Sequence, residues 1–120
     1  MEKVTNFKNY KVWQDAVEFS KKVFQKTDNM PLFDNNTLCA HFRLSAANIS
    51  SDIAEGFARA SDAELVYYLE TALGNSYRVE TQLILANKVG YIDNENYQSF
   101  LRDIVEIEKQ LERLIRILRQ

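Results

Sequence analysis

The chain has little punctuation. It holds one proline and three glycines among 120 residues. So few turn-formers cannot build the many tight turns of a β-sandwich or barrel, which leaves long helices as the natural elements. It has one cysteine, Cys39, so no intrachain disulfide can form, as suits a reducing compartment. It has one histidine, His41, and no run of ~18 uninterrupted apolar residues, so no membrane span is expected. Met1 to Lys8 carries no apolar run of the kind a signal peptide needs. These absences together suit a cytoplasmic protein. Excess positive charge is also missing: the net charge is -2, which argues against indiscriminate nucleic-acid binding.

What is present is ordinary globular composition, 46% hydrophobic and 27% charged, in a length that makes one domain, 1–120. A chain of this size buries roughly 65% of its unfolded surface and needs no covalent staples. Four amphipathic segments can be read. The first spans about 7–27, with Asn6 as N-cap and Tyr10, Trp13, Ala16, Val17, Val23 and Phe24 at helical spacing. Lys11 with Asp15 and Glu18 with Lys22 are spaced for ion pairs on its wet side. A loop, Asp28 to Asn36, follows around Pro31. The second helix spans about 37–60, with Leu38, Phe42, Ile49, Ile53 and Phe57 as its stripe.

Ser61-Asp62-Ala63-Glu64 is a capping box, which opens a third helix over about 62–89. Leu65, Leu69, Ala72, Ser76, Val79, Leu83 and Ala86 share one face of it, and Gly90 stands where a helix end wants a left-handed residue. Asp93 caps a fourth helix over about 93–119, where Tyr97, Ile104, Leu111 and Leu118 recur every seven residues, as do Phe100, Ile107 and Leu114. Short connections make successive helices antiparallel. The fold class is therefore all-α, an antiparallel up-down four-helix bundle.

Helix two has a second face. Leu44, Ala47, Ser51, Ala54 and Ala58 are spaced 3, 4, 3, 4, a seam of small residues that lets another backbone approach closely. Helix three has extra apolar residues beside its main stripe: Val66, Leu73, Tyr77 and Ile84. Either both helices sit deep in one bundle, or these flanks meet a second subunit. Homo-oligomers are common, and a bundle this small leaves much helix surface open, so subunit contact through Leu44, Ala47, Ser51, Ala54, Ala58, Leu73 and Tyr77 is the reading we carry forward.

Bond-making chemistry finds little support. A di-iron bundle needs two Glu-x-x-His pairs, and the residue three before His41 is Leu38. Cys39 has no companion for zinc or thioredoxin-type chemistry and reads as a small half-buried apolar residue; it and His41 point apart on a helix. His41, Ser45, Asn48, Asp52, Glu55 and Arg59 form a polar stripe, read as a solvated or inter-subunit face with Glu55 and Arg59 paired. Gly56, Gly74 and Gly90 lie too far apart for a phosphate loop. The six tyrosines and Trp13 could stack on bases, but Tyr10, Trp13, Tyr77 and Tyr97 fall on packing faces, which favours core or interface. No catalytic residue, metal ligand or cofactor is expected. Arg102, Lys109, Arg113 and Arg116 form a basic stripe on helix four that either is merely solvated or tracks phosphates.

At helix two, Ile49-Ser50-Ser51-Asp52-Ile53-Ala54-Glu55-Gly56-Phe57 resembles the "IPSNIAEGF" signature of the 23S ribosomal RNA intervening-sequence proteins. Phe7, Tyr10, Trp13 and Ala16 are similar to that family's opening pattern, Ser61 and Glu64 to its serine-glutamate step, and Glu80-Thr81-Gln82-Leu83, Ala86 and Gly90-Tyr91-Ile92 to its "ETQL..A...GYL" stretch. The resemblance covers nearly the whole chain. It implies a bacterial four-helix bundle that assembles as a ring, commonly a pentamer, with no established enzymatic activity. The family also includes the accessory protein of diversity-generating retroelements, a basic ring that binds reverse transcriptase and nucleic acid. Here the pattern departs: Leu44 follows Arg43 where two arginines are frequent, and Ser50 and Asp52 replace proline and asparagine. Arg43 is the one nucleic-acid-facing position that carries over.

Two expectations result. The first is a homo-oligomeric scaffold or adaptor with a protein partner. The second is an RNA- or DNA-binding accessory protein, acting with ribosomal RNA or a reverse transcriptase through Arg43 and the helix-four stripe.

Overall fold

The computed structural model describes residues 6–120; the stretch Met1 to Thr5 of the polar opening lies outside the described residues. A short 3-10 turn, Phe7–Asn9, precedes four helices: α1 Lys11–Thr27, α2 Thr37–Phe57, α3 Asp62–Lys88 and α4 Asn94–Leu118. Each helix packs on its two neighbours in the order α1-α2-α3-α4-α1, and the bundle is 51 Å long and 20 Å across. Side-chain bonds fix the directions. Gln110 of α4 donates to Asp15 of α1 (2.8 Å), while Lys22, further along α1, reaches Asp103, earlier on α4 (2.7 Å). Tyr10, just before α1, packs tilted on Phe57 at the end of α2, with centroids 4.5 Å apart. This is an antiparallel four-helix bundle.

The capping residues act as their sequence positions suggest. Side-chain oxygens of Asn36, Ser61 and Asp93 accept from the backbone N–H groups of Leu38 (2.9 Å), Glu64 (3.2 Å) and Asn96 (2.8 Å), satisfying donors that a helix start leaves open. Gly90, at φ 84°, ends α3. The Tyr91 N–H bonds the Ala86 carbonyl (2.8 Å) and the Gly90 N–H bonds that of Asn87 (3.1 Å), which closes the last carbonyls in a Schellman turn.

The start of α1 differs from the expectation. Asn6 caps the 3-10 turn, not the helix, and Tyr10 is extended (φ -84°, ψ 128°). The break lets Phe7 meet Trp13 edge-on at 5.1 Å while Tyr10 covers the end of α2. The inward stripe of α1 is Val12, Ala16, Phe19 and Val23, whereas Phe24 is 45% exposed. Trp13 and Tyr10 are only partly buried, so they mark the edge of the stripe and not its centre. The wet side differs too: Lys22 turns to Ser99 and Asp103 of α4, and Glu18 meets Lys21.

The α3 stripe, Leu65, Leu69, Ala72, Ser76, Val79, Leu83 and Ala86, is buried throughout. The loop after α1 contributes to the core: Phe33 is wholly buried, stacking on Tyr91 (5.8 Å) and lying 6.0 Å from Phe42. Phe42 in turn meets Phe100 edge-on at 5.7 Å. Each large side chain taken out of water contributes roughly 1.5–3 kcal/mol, against about 0–1 for an exposed ion pair. The apolar column therefore dominates stability.

At Gly56 of α2, α3 leaves no room for a side chain. A Cβ there would lie 2.9 Å from both the Leu65 Cδ1 and the Tyr68 Cβ. Gly74, also helical, has open space around it. Gly56→Ala is therefore expected to lose about 1–2 kcal/mol, overpacking outweighing the better helix former, and Gly74→Ala to gain about 0.5–1. Urea midpoints of the two variants, read at unchanged slope, test the pair.

Candidate interaction surfaces

On α2, the outer face carries the small-residue seam. Leu44 is 58% exposed, Ser51 and Ala58 are exposed, and Ala47 and Ala54 are partly so. The hydroxyls of Ser50 and Ser51 both donate back to the Ala47 carbonyl, at 3.2 and 3.3 Å. Their polarity is thus spent within the helix, and the face presents little that water must keep. Phe24 of α1 adjoins α2 through Arg43, whose guanidinium lies 5.8 Å from its ring centroid. On α3 the four extra apolar residues divide. Val66 is buried in the core, Leu73 and Ile84 are half-buried, and Tyr77 stays 46% exposed with its hydroxyl donating to Glu112 of α4 (3.0 Å). Leu73 and Tyr77 therefore sit on the α4 side of α3, a different side of the bundle from the α2 seam.

The polar stripe of α2 is not a solvated face throughout. Ser45 is buried, and Asp52 accepts from Asn75 of α3 at 2.7 Å. Burial, with Glu55 nearby, pushes the Asp52 carboxyl up in spite of that bond. Arg59 donates to the Tyr68 hydroxyl (2.7 Å) and lies over its ring. Asp52 and Arg59 of the stripe thus join α2 to α3, while His41 and Glu55 stay exposed. Gln82 of α3 has a buried side-chain oxygen without a hydrogen-bond partner.

Arg43 is committed within the chain. Its side chain is 19% exposed; it donates to Thr27 (3.0 Å), to Asp34 (2.8 Å) and, at 3.4 Å, to Asp28. The Asp34 bond raises its affinity for the proton further. The residue that the family resemblance marks as nucleic-acid-facing thus ties the α1–α2 loop to α2. Cys39 beside it is fully buried, more than expected, and burial pushes its thiol up, so it is a poor nucleophile. His41 is exposed. Arg102, Lys109, Arg113 and Arg116 are all exposed along α4, with Glu106 and Glu112 beside them.

One site that the sequence reading passed over lies between α3 and α4. Glu108 is buried to 7% exposure and its Oε2 atom receives no hydrogen bond; burial, then the neighbouring Glu80 and Glu112, push its carboxyl up to about 8. The available signal was its place after Leu101 and Val105 on one line of α4, where an acid interrupts an apolar row. Among the described residues, no group of three or more His, Cys, Asp or Glu side chains could hold a metal ion. No helix there is long and apolar enough to cross a membrane. The clefts are open grooves, such as that between α1 and α4 lined by Asp15, Lys22 and Asp103.

These features define a helical bundle whose distinctive surfaces are interhelical faces. The chain belongs to the family described as 23S rRNA-intervening sequence proteins, which it matches over residues 8–113. It is similar to the crystal structure of a protein of unknown function from the S23 ribosomal protein family of Bacteroides thetaiotaomicron. The identity is 25% and the TM-score 0.80, over 87% of this chain and 97% of that one. No curated protein matches the chain. The family and the similar structure carry no assigned activity.

Removing the Arg43 fork is expected to cost about 2 kcal/mol in Arg43→Ala, because its bonds join charged groups at a partly buried site. Arg43→Lys should recover little, since an ammonium cannot bridge Thr27, Asp28 and Asp34 at once. Chemical denaturation of both variants measures this.

Proposed function

We propose that the chain is a non-enzymatic homo-oligomeric scaffold or adaptor in which the α2 outer face is a subunit contact. The observation that carries this reading is the exposed row Leu44, Ala47, Ser51, Ala54 and Ala58, whose serine hydroxyl is already satisfied inside the helix. Small side chains permit a close helix-to-helix approach, and no desolvated charge stands in the way. Leu73 and Tyr77 supply a second patch on another side. Two different patches on one subunit favour a head-to-tail contact, which closes into a ring when the rotation allows. The five-fold ring implied by the family resemblance is the assembly we favour. The thiol of Cys39 is buried and pushed up, which makes it a poor nucleophile and is consistent with a binding role.

Ala54→Arg puts an unpaired charge into the seam and is expected to convert the assembly to monomers while leaving helical content unchanged. Sedimentation velocity reads the outcome. A variant that sediments like the wild type, or a wild type that is monomeric at tens of micromolar, would remove the proposal.

A second reading, binding of RNA or DNA, is favoured by a different observation: Arg102, Lys109, Arg113 and Arg116 are all exposed on α4. Among the described residues none of them is held in an ion pair. A ring would repeat this stripe in every subunit. Fluorescence anisotropy with single-stranded and duplex RNA probes should then show affinity falling steeply with salt, with the log–log slope reduced by about 1 in Arg113→Ala. No binding at low salt would eliminate this reading.

A further inference from the structure

We propose that the outward face of α3 receives the α2 outer face of a second copy, helix on helix, with Gly74 at the closest approach. The inference rests on the subunit contact proposed above and names the surface on its other side. Gly74 is exposed in the middle of α3, and a Cβ there would meet nothing beyond its own helix within 4 Å. Glycine is a poor helix former, and no contact among the described residues offsets its cost. Gly56 is the contrast, since Leu65 and Tyr68 fill the space a side chain would need. One helical glycine serves a close approach inside the chain; the other leaves room for one from outside.

The two faces match in period and polarity. Tyr67, Gly74 and Thr81 recur every seven residues on α3, as Leu44, Ser51 and Ala58 do on α2. Rows with one shared period can lie along each other over several turns. Tyr67 is 64% exposed, a large ring left in water beside the glycine. The hydroxyls of Thr71 and Thr81 donate back to the Tyr67 and Tyr77 carbonyls, at 3.0 and 2.8 Å, as Ser51 does on α2. Both faces therefore come out of water without stranding a hydroxyl. Glu70, the acid beside the α3 row, is tied to Arg119 of α4.

Charge complementarity selects a second copy as the occupant. Glu55 flanks the α2 face and Arg78 flanks the α3 face. Both are exposed, and among the described residues neither takes part in an ion pair. A ring whose axis runs along the bundle leaves helix directions unchanged, so the next copy's α2 runs antiparallel to α3. Helical side chains lean toward the N-terminus of their own helix. With Ala54 of the next copy opposite Gly74, its Glu55 and the Arg78 of this chain lean toward each other from matching flanks. The second copy thus supplies an acid for Arg78 and, in Ala54 and Ser51, side chains small enough for the backbones to close.

Gly74→Arg has room in the single chain and brings a better helix former, but its long charged side chain, unlike a methyl, blocks the approach. It should keep its helical circular dichroism and sediment as a monomer. Glu55→Arg and Arg78→Glu should each weaken the contact by about fivefold, and the two together should restore it. Ala54→Cys combined with Gly74→Cys should give disulfide-linked multimers with an added thiol oxidant, and neither single variant should, because touching helix backbones fit the reach of the bond. Cys39 is buried and takes no part. The two readings fail separately: if Ala54→Arg disperses the assembly and Gly74→Arg does not, the α2 contact stands and its pairing with α3 is overturned. A monomeric wild type, which leaves α3 to an unrelated helix, overturns it too, as does a double charge reversal that assembles no better than the single ones.

Discussion

A column 20 Å across has room for one apolar interior, and everything else in this molecule follows from how four helices share it. Each helix can turn only one stripe inward. Aromatic rings do much of the filling: Phe19, Phe42 and Phe100 meet edge-to-face, and Phe33 plugs one end from the loop. At Gly56 the absence of a side chain lets α2 lie against Leu65 and Tyr68, which fixes how tightly the two central helices approach. With the interior full, any further apolar surface on a helix has to face outward.

That constraint gives the outer faces their meaning. On α1, Phe24 is left outside because Phe19 and Val23 already occupy the inward positions. On α2, the row from Leu44 to Ala58 lies across the helix from Phe42, Ile49 and Ile53, and among the described residues it is left exposed or partly exposed. The polar residues between these rows are used to join helices: Asp52 with Asn75, Arg59 with Tyr68, and Arg43 with Thr27 and Asp34. Directional bonds of this kind contribute about 1 kcal/mol each, more when charged, so they set register and not the bulk of stability.

Most of the fold was legible in the sequence, because helix periodicity, caps and a left-handed glycine are local signals. The α3 stripe is the clearest example: seven residues read from spacing are seven buried residues. The weakest reading was the start of α1. There Tyr10 and Trp13 were placed on the stripe by helical spacing, but Tyr10 stays outside the helix and packs on Phe57, a residue 47 positions away. Phe33 was missed for the same reason, since a loop gives no periodicity to mark a buried ring. The second stripe of α2 was legible as a spacing of small residues, and the structure adds that the Ser51 hydroxyl donates back into the helix.

The amino-acid order by itself determined the number of helices, the caps of α2, α3 and α4 and the inward stripe of α3, since these depend on interactions within a few residues of each other. Tertiary structure decided the fate of the charges. Arg43, Lys22 and Glu108 look alike in sequence, as polar residues on amphipathic helices. Their roles as loop tie, α4 partner and sealed carboxyl arise only when another helix supplies, or withholds, the opposite charge. Electrostatic free energy depends on distance and burial, which local spacing does not encode.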